Sequence, residues 1–440
     1  MYTLGIDIGT TSICIVLYDA KNRTIALSRN VSNRFLAQGS FWQDADEIVS
    51  KVSRLLEEME ELPFEAIGIS SQMHGIVYVN GKGEAVSPFY TWKEESGNQP
   101  FDEKETYAGY LSRITGYPLY TGYGSVTHFY LQKAGALPAD AKGFVDIGDY
   151  LAMRLTGSVR RAVNESIAAS FGGYDLENRC FDHDALKKAG VDVSFYPEIC
   201  PYHEFVGYYK GKKVFSAIGD NQASFLGAVS EPEKSIGLNV GTGSQVSVYS
   251  QKLCMACMEN GTDVRPFPGG GYLYVGASLN GGKVYERLAA FFGEVCEQFT
   301  GEKPDIYAKM QEIAMEKEDT DLKAYPNLYG ARGGKSGKSG WDGLNSDNFH
   351  PADMIRSYLR GMASELKALY DVFPKEIKQG RESLTASGNG LRKNPLLCQE
   401  VEKAFGLLLT FSRYKEEAAA GAAVFAAEKN GNREGRMTDV

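Results

Sequence analysis

The chain opens on an apolar run that carries one acid, Leu4-Gly5-Ile6-Asp7-Ile8, followed by Gly9-Thr10-Thr11-Ser12 and a second run from Ile13 to Tyr18. Short, β-branched runs split by a Gly/Thr turn predict two buried strands, and Thr24 to Val31 extends them to a third. The period then changes. Ile48, Val52, Leu55 and Leu56 share one face of a helix that Asp44 can cap and that ends near Met59. Ala66 to Ser70 reads as a short buried strand leading into Ser71-Gln72-Met73-His74-Gly75. Ile76 to Val79 and Pro88 to Trp92, separated by a Gly-rich turn, read as a further hairpin. Interrupted helical patterns follow from Asp102 to Leu137, with helices from Asp146 to Leu155 and from His183 to Ala189. A strand from Val214 to Ile218 runs into Gly219-Asp220-Asn221.

The opening pattern then returns: Ile236 to Val240, the turn Gly241-Thr242-Gly243-Ser244, and Gln245 to Tyr249. Two strand, Gly/Thr-turn, strand units predict a duplicated fold with nucleotide phosphates held between the two turns. The polar stretch Glu231-Pro232-Glu233-Lys234 is the expected boundary, giving domains of residues 1–232 and 233–440. In the second half a helix starts at Gly281-Gly282, another spans Pro351 to Asp371, and a strand from Leu384 to Ser387 enters Gly388-Asn389-Gly390. A helix through Phe405 follows. The last helix, Glu416 to Glu428, is rich in Ala and Gly and is expected to pack closely against the Gly388 turn.

Composition narrows the classes. At 440 residues the chain is longer than one core usually grows, in keeping with two domains. A net charge of -9 argues against a nucleic-acid or anionic-membrane partner, which would demand a clustered basic surface. The run from Arg332 to Lys338 is basic but Gly-rich and reads as a mobile loop. Seven scattered cysteines suggest reduced thiols in a cytoplasmic protein, and Cys254 and Cys257 form a CxxC with neither a second pair nor a histidine at zinc spacing. Met1 leads straight into the first strand, and no apolar run is long enough to span a bilayer.

The candidate chemistry sits at strand ends. Asp7 and the turn after it suit a metal-bound phosphate: the acid faces the metal, while the glycine and the hydroxyls of Thr10 and Thr11 let phosphate approach and add donors. An ordinary hairpin turn is the plainer alternative. Gln72 and His74 end a strand where a polar ligand can be reached, although such a histidine taken alone is more often a satisfied structural one. Trp92 beside Glu94 and Glu95 combines an aromatic plate with carboxylates, as a sugar site needs, or else is a core tryptophan before a solvated charge cluster. Asp220, between a strand end and a helix start, is a general base for a hydroxyl or else a helix cap. The turn at Gly388 gives a planar base bare backbone to lie against.

Taken in order, GIDIGTTS at 5–12, SSQMHG at 70–75, TWKEE at 91–95, DYLAMRLTG at 149–157, GDNQASFLGA at 219–228, LNVGTGSQ at 238–245, SGNGLRKNP at 387–395 and EEAAAGAAVFA at 416–426 resemble the FGGY carbohydrate kinases over nearly the whole chain. Within that family, ITGYPLYTGYGSVTHFYLQK at 114–133 and NESIAASFGGYD at 164–175 fit the sedoheptulokinase branch better than the glycerol kinase branch. The resemblance implies an α/β fold of two actin-like (ribonuclease H-like) ATPase domains with a cleft between them, binding ATP, Mg2+ and a small sugar.

It also implies roles. Asp7 binds the metal, Thr10, Thr11, Gly241, Thr242 and Gly281 hold nucleotide phosphates, and Gly388, Asn389 and Asn394 lie on the adenine side. Gln72, Met73, His74, Trp92, Glu94 and Asn221 contact the sugar, and Asp220 is the base that takes the proton from the attacking hydroxyl. Three stretches depart from the family pattern: Trp92-Lys93-Glu94 for Trp-x-Asp, Val163-Asn164 for Thr-Asp, and Thr127-His128-Phe129-Tyr130 for Lys-Leu-x-Trp. The expected activity is transfer of the ATP γ-phosphoryl group to a hydroxyl of a ketose of the sedoheptulose type. A xylulose or ribulose kinase is the alternative within the family, and a non-catalytic ATP-binding switch the alternative outside enzymes. A homodimer is left open.

Overall fold

A computed structural model describes residues 1–428 except 38, 201, 260 and 331–336, and the side chains of 257 and 259. The basic Gly-rich run from Arg332 therefore lies mostly outside the described residues, as does the side chain of Cys257 in the CxxC pair. The chain divides into two compact units. The first comprises Met1–Gly227, Arg265–Tyr272 and the chain from Tyr414, and the second comprises Ala228–Val264 and Leu273–Arg413.

The first unit is built on a mixed sheet whose strands run in the order Phe205–Tyr209, Lys212–Phe215, Phe64–Ser71, Tyr2–Ile8, Ser12–Asp19, Thr24–Ser32. The opening apolar runs form its centre because both faces are covered: Leu4, Ile6, Ile8, Ile13, Ile15 and Val16 are all fully buried. Tyr2–Ile8 pairs antiparallel with Ser12–Asp19 and parallel with Phe64–Ser71. The expected strand from Val214 to Ile218 is broken into Lys212–Phe215 and Ile218–Gly219, both parallel to Phe64–Ser71. The expected hairpin after His74 forms, with Ile76 and Tyr90 exchanging backbone hydrogen bonds at 3.0 and 2.9 Å and Val79 bridging to Ala85. Each arm also takes a second partner: Val77–Val79 pairs with Gly143–Val145, and Phe89–Tyr90 with Trp42–Gln43.

Register aligns the ends of three parallel strands. Ile8 lies opposite Ser71, and Ser71 opposite Gly219. Hence the turn at Gly9, the turn at Gln72 and the start of the helix Asp220–Ala228 all leave the sheet at one edge, beyond the carboxyl ends of parallel strands.

The last helix, Glu417–Glu428, belongs to this first unit, which corrects the expectation that it packs on the Gly388 turn. Its small residues serve a different surface. A Cβ built at Gly5 falls 1.8 Å from the carbonyl oxygen of Ala419, and one at Gly68 falls 1.9 Å from that of Ala422, so the helix lies directly on two bare strand positions. The Thr3 hydroxyl donates to the carbonyl of Ala423 at 2.8 Å and fixes the register.

The second unit repeats the arrangement. Ser235–Val240 pairs antiparallel with Ser244–Ser250 and parallel with Ser383–Ser387, which pairs parallel with Leu409–Phe411. The helix Pro351–Asp371 packs on Ser244–Ser250 and Pro395–Phe405 on Leu409–Phe411, while the helix Gly282–Thr300 packs on Pro351–Asp371. Arg356 and Glu400, both nearly buried, form an ion pair at 3.1 Å that ties Pro351–Asp371 to Pro395–Phe405.

Candidate active site

Asp7 sits one residue before the end of the first strand, and its Oδ1 accepts the Ser70 hydroxyl at 2.8 Å from the strand beside it. Burial pushes its carboxyl up to about 7 against the lowering effect of the Ser70 bond, and the nearby charges of Asp220 and Glu416 raise it further. The turn that follows is closed by Gly9 N–H donating to the Ser12 carbonyl at 3.0 Å, while Asn33 Nδ2 donates to the Gly9 carbonyl at 2.9 Å. Gly9 is not among the residues with positive φ. Glycine serves there by its lack of a side chain, since a Cβ would sit 3.0 Å from the Ser12 carbonyl oxygen. Thr11 is exposed, whereas Thr10 is bonded into its surroundings.

Those surroundings are the polar residues of the neighbouring loops. The Trp92 indole N–H donates to Thr10 Oγ1 at 3.0 Å, and that hydroxyl donates to Gln72 Oε1 at 3.2 Å. Gln72 is buried, and its backbone N–H reaches the Ile8 carbonyl at 3.0 Å. Trp92 itself is 44% exposed, a plate available for packing. The Glu94 carboxylate accepts from the Ser96 backbone N–H at 3.0 Å and from the Trp42 indole, so it holds the loop around the plate.

His74 has φ +75°, a backbone state uncommon for a residue with a side chain. The strain is held from two sides: its N–H donates to the Ser170 hydroxyl at 3.0 Å, and its ring stacks on Tyr123 with centroids 4.4 Å apart. Met73 is buried beside the strand end that precedes Asp220, its sulfur 2.9 Å from where a Gly219 Cβ would lie. Asp220 Oδ1 accepts from the Asn221 backbone N–H at 2.7 Å and from Asn221 Nδ2 at 3.2 Å. Burial raises the Asp220 carboxyl above its ordinary range, opposed by the Asn221 bonds and by the charge of Arg265. Arg265, in the segment Arg265–Tyr272 of the same unit, also places Nη1 3.8 Å from the Met73 sulfur.

Two of the departures have local accounts. Asn164 Oδ1 accepts from the Ser166 hydroxyl at 2.8 Å, and Gly219 N–H donates to that hydroxyl at 3.1 Å, so the pair fixes the residue before Asp220. His128 is fully buried, with Nε2 donating to the Asp192 carbonyl at 3.0 Å and Nδ1 2.8 Å from the Tyr78 hydroxyl. It belongs to the core.

In the second unit the glycine turns converge. Gly282 N–H donates to the Gly241 carbonyl at 2.7 Å and Lys283 N–H lies 3.4 Å from that of Thr242, which sets Gly281 against the 241–243 turn. Gly388 has φ +81°, and a Cβ there would come 2.5 Å from the Val240 carbonyl oxygen, so glycine is required on both counts. Asn389 begins the short helix after Gly388. Asn394 Oδ1 caps the next helix by accepting from Leu397 N–H at 3.1 Å. Lys283 Nζ stands 3.6 Å from the Tyr329 ring centroid, a cation beside the turn that the sequence did not single out.

A family model for the N-terminal domain of the FGGY carbohydrate kinases matches residues 2–228, and one for the C-terminal domain matches residues 239–428. The chain belongs to the FGGY family of carbohydrate kinases. It is 27% identical to sedoheptulokinase of Mus musculus over 473 residues, covering 96% of each chain, and equally to that of Homo sapiens over 474 residues. Among solved structures it is similar to a xylulose kinase from Rhodospirillum rubrum, with TM-score 0.82 and 18% identity over 99% of this chain and 92% of the other. A Plasmodium falciparum glycerol kinase with ADP gives TM-score 0.79 and 19% identity over 97% of this chain and 89% of the other. The two-domain actin-like fold expected from the sequence is thereby shown.

As an FGGY carbohydrate kinase the protein is a sugar phosphotransferase that uses ATP with Mg2+. The donor set fits that ion. Asp7 and Asp220 bring carboxylates to one sheet edge, and no cluster of three or more His, Cys, Asp or Glu that could cage a metal occurs among the described residues. Mg2+ commonly takes one or two carboxylates, with phosphate and water as its other ligands. No helix among the described residues is long and apolar enough to cross a membrane.

Proposed function

We propose that the protein phosphorylates a hydroxyl of a ketose of the sedoheptulose type, with Asp220 as the base that accepts the hydroxyl proton. The observation that carries this reading is the alignment of Ile8, Ser71 and Gly219, from which the Gly9 turn, the Gln72 to His74 turn and Asp220 emerge side by side. In this reading the sugar-contacting groups and the base stand next to the phosphate turn. Trp92 offers the ring face a plate, and Met73, His74 and Asn221 flank the reacting hydroxyl. Gln72 and Glu94 act by holding Thr10 and the Trp92 loop.

In this reading residues 1–232 supply the sugar site, the first phosphate turn and the base. Residues 233–440 supply the second phosphate turn and the adenine side, except that the segment Arg265–Tyr272 and the last helix belong with the first sheet. Thr10, Thr11, Gly241, Thr242 and Gly281 meet phosphates, with Gly388, Asn389 and Asn394 towards the base. Asp7 would hold Mg2+, which when bound offsets the charge of the phosphates. Phosphoryl transfer asks little covalent chemistry of the protein, so positioning and electrostatics supply most of the rate.

The ketose assignment is supported by two sedoheptulokinases that match the chain over nearly its whole length. An ADP-release assay across C3 to C7 polyols and ketoses tests it. The expected result is the highest kcat/KM on a seven-carbon ketose; preference for xylulose or ribulose moves the assignment to the pentulose kinases, and no turnover on any sugar overturns it.

A further inference from the structure

Gln43 is a buried polar residue that the reaction scheme leaves without a task. It lies on the two-residue strand Trp42–Gln43, opposite Phe89 in the ladder that leads to Trp92. Its Nε2 donates to the Thr10 carbonyl at 2.8 Å, and its Oε1 accepts from Gln72 Nε2 at 2.8 Å. Gln72 Oε1 accepts from the Thr10 hydroxyl, which closes a ring of three hydrogen bonds through Thr10, Gln43 and Gln72.

The proton order in this ring is fixed by its chemistry. The Thr10 carbonyl can only accept, so Gln43 must present its amide nitrogen there and its oxygen to Gln72. Gln72 must then present its own oxygen to Thr10, whose single hydroxyl proton goes to it. The indole N–H of Trp92 can only donate, and it meets the remaining lone pairs of the same hydroxyl. With its proton committed, Thr10 meets a phosphate through its backbone, and the position of that backbone is tied to the sugar plate through Gln43.

We propose that Gln43 is a positioning residue that couples sugar binding at Trp92 to nucleotide binding at the phosphate turn. The coupling rests on the sugar-kinase reading above. A ketose packed on Trp92 holds the indole, the indole holds the Thr10 hydroxyl, and the amide ring carries that restraint to the Thr10 carbonyl. Coupling between the two sites must be reciprocal, so each ligand tightens the other by one factor.

The test measures the affinity of a non-hydrolysable ATP analogue by calorimetry with and without saturating ketose, and the affinity of the ketose with and without the analogue. Wild type is expected to show the same enhancement both ways, about fivefold or more. Gln43→Glu keeps an acceptor for Gln72 but sets a carboxylate oxygen against the Thr10 carbonyl, and it is expected to bring the factor to about one. Trp92→Phe keeps a plate while removing the N–H, and it serves if Gln43→Glu fails to fold; the expected loss of enhancement is the same. A merely structural role would lower melting temperature and leave the factor unchanged, which overturns the coupling. A wild-type factor of one with normal turnover also overturns it. Wild type that turns over no sugar at all overturns the function and the coupling with it.

Discussion

His74 Nδ1 lies 2.7 Å from the carbonyl oxygen of Ser170. Because a carbonyl only accepts, the proton sits on Nδ1, and a neutral ring keeps its lone pair on Nε2. The same Ser170 receives the His74 backbone N–H through its hydroxyl, so one residue sets both the strained backbone and the tautomer.

Replacement of His74 by Asn tests the role of that ring. Asn tolerates a left-handed backbone and keeps a donor, but it cannot stack on Tyr123. The ketose KM is expected to rise about tenfold, in line with one lost hydrogen bond and its packing, while the ATP KM at saturating ketose stays within about twofold. Steady-state kinetics with each substrate varied in turn decide it. Equal rises in both constants would remove His74 from the sugar side.

Asp220→Asn should lower kcat by about 10²–10⁴, the usual contribution of a positioned base, with nucleotide affinity retained. Sugar-dependent ADP release at the wild-type rate would end the assignment of Asp220. Arg265→Met removes the cation that opposes the effect of burial on Asp220. It is expected to reduce kcat less than Asp220→Asn does, again without weakening nucleotide binding.

Much of this was legible in the sequence because it is local. The strand and turn at Asp7, the cap at Asp44 and the glycine turns at Gly241 and Gly388 each announce themselves within a few residues. What was not legible depends on contacts far apart in the chain. Gln43 gains its role only from Thr10 and Gln72, Ser170 only from His74, and Arg265 only from a segment that rejoins the first unit. The last helix was misplaced for the same reason: its Ala and Gly positions announce close packing, but the partner glycines are Gly5 and Gly68, hundreds of residues away.

That packing makes a sharp stability prediction. An alanine at Gly68 would place its Cβ 1.9 Å from the Ala422 carbonyl oxygen and 3.1 Å from the Ala426 Cβ. The helix must then lift off the sheet, and overpacking of this kind costs about 1–3 kcal/mol or more. Gly68→Ala is expected to lower the melting temperature more than Gly157→Ala, which has no neighbour near its Cβ and meets only the left-handed backbone cost of about 1–2 kcal/mol. Thermal denaturation of the two variants side by side compares clash with backbone strain. Equal losses would show that the helix is not held by contact at Gly68.

The buried His128 gives the protein an acid-sensitive core. Burial lowers its pKa to about 4, against the raising effect of its bond to the Asp192 carbonyl, while an unfolded chain returns it to about 6.5. Between those values the unfolded state binds the extra proton, so stability from this residue is complete above pH 6.5 and is lost as pH falls towards 4. By pH 5 the loss is about 2 kcal/mol, from roughly 1.5 units at 1.36 kcal/mol each. Other groups titrate in the same range, so the measurement is a difference. Wild type and His128→Gln are unfolded by urea at pH 7.5 and at pH 5, with Gln able to donate to Asp192 but unable to take up a proton. The stability gap between them is expected to narrow by about 2 kcal/mol at the lower pH. A gap that stays constant would mean that His128 is not held neutral in the folded core.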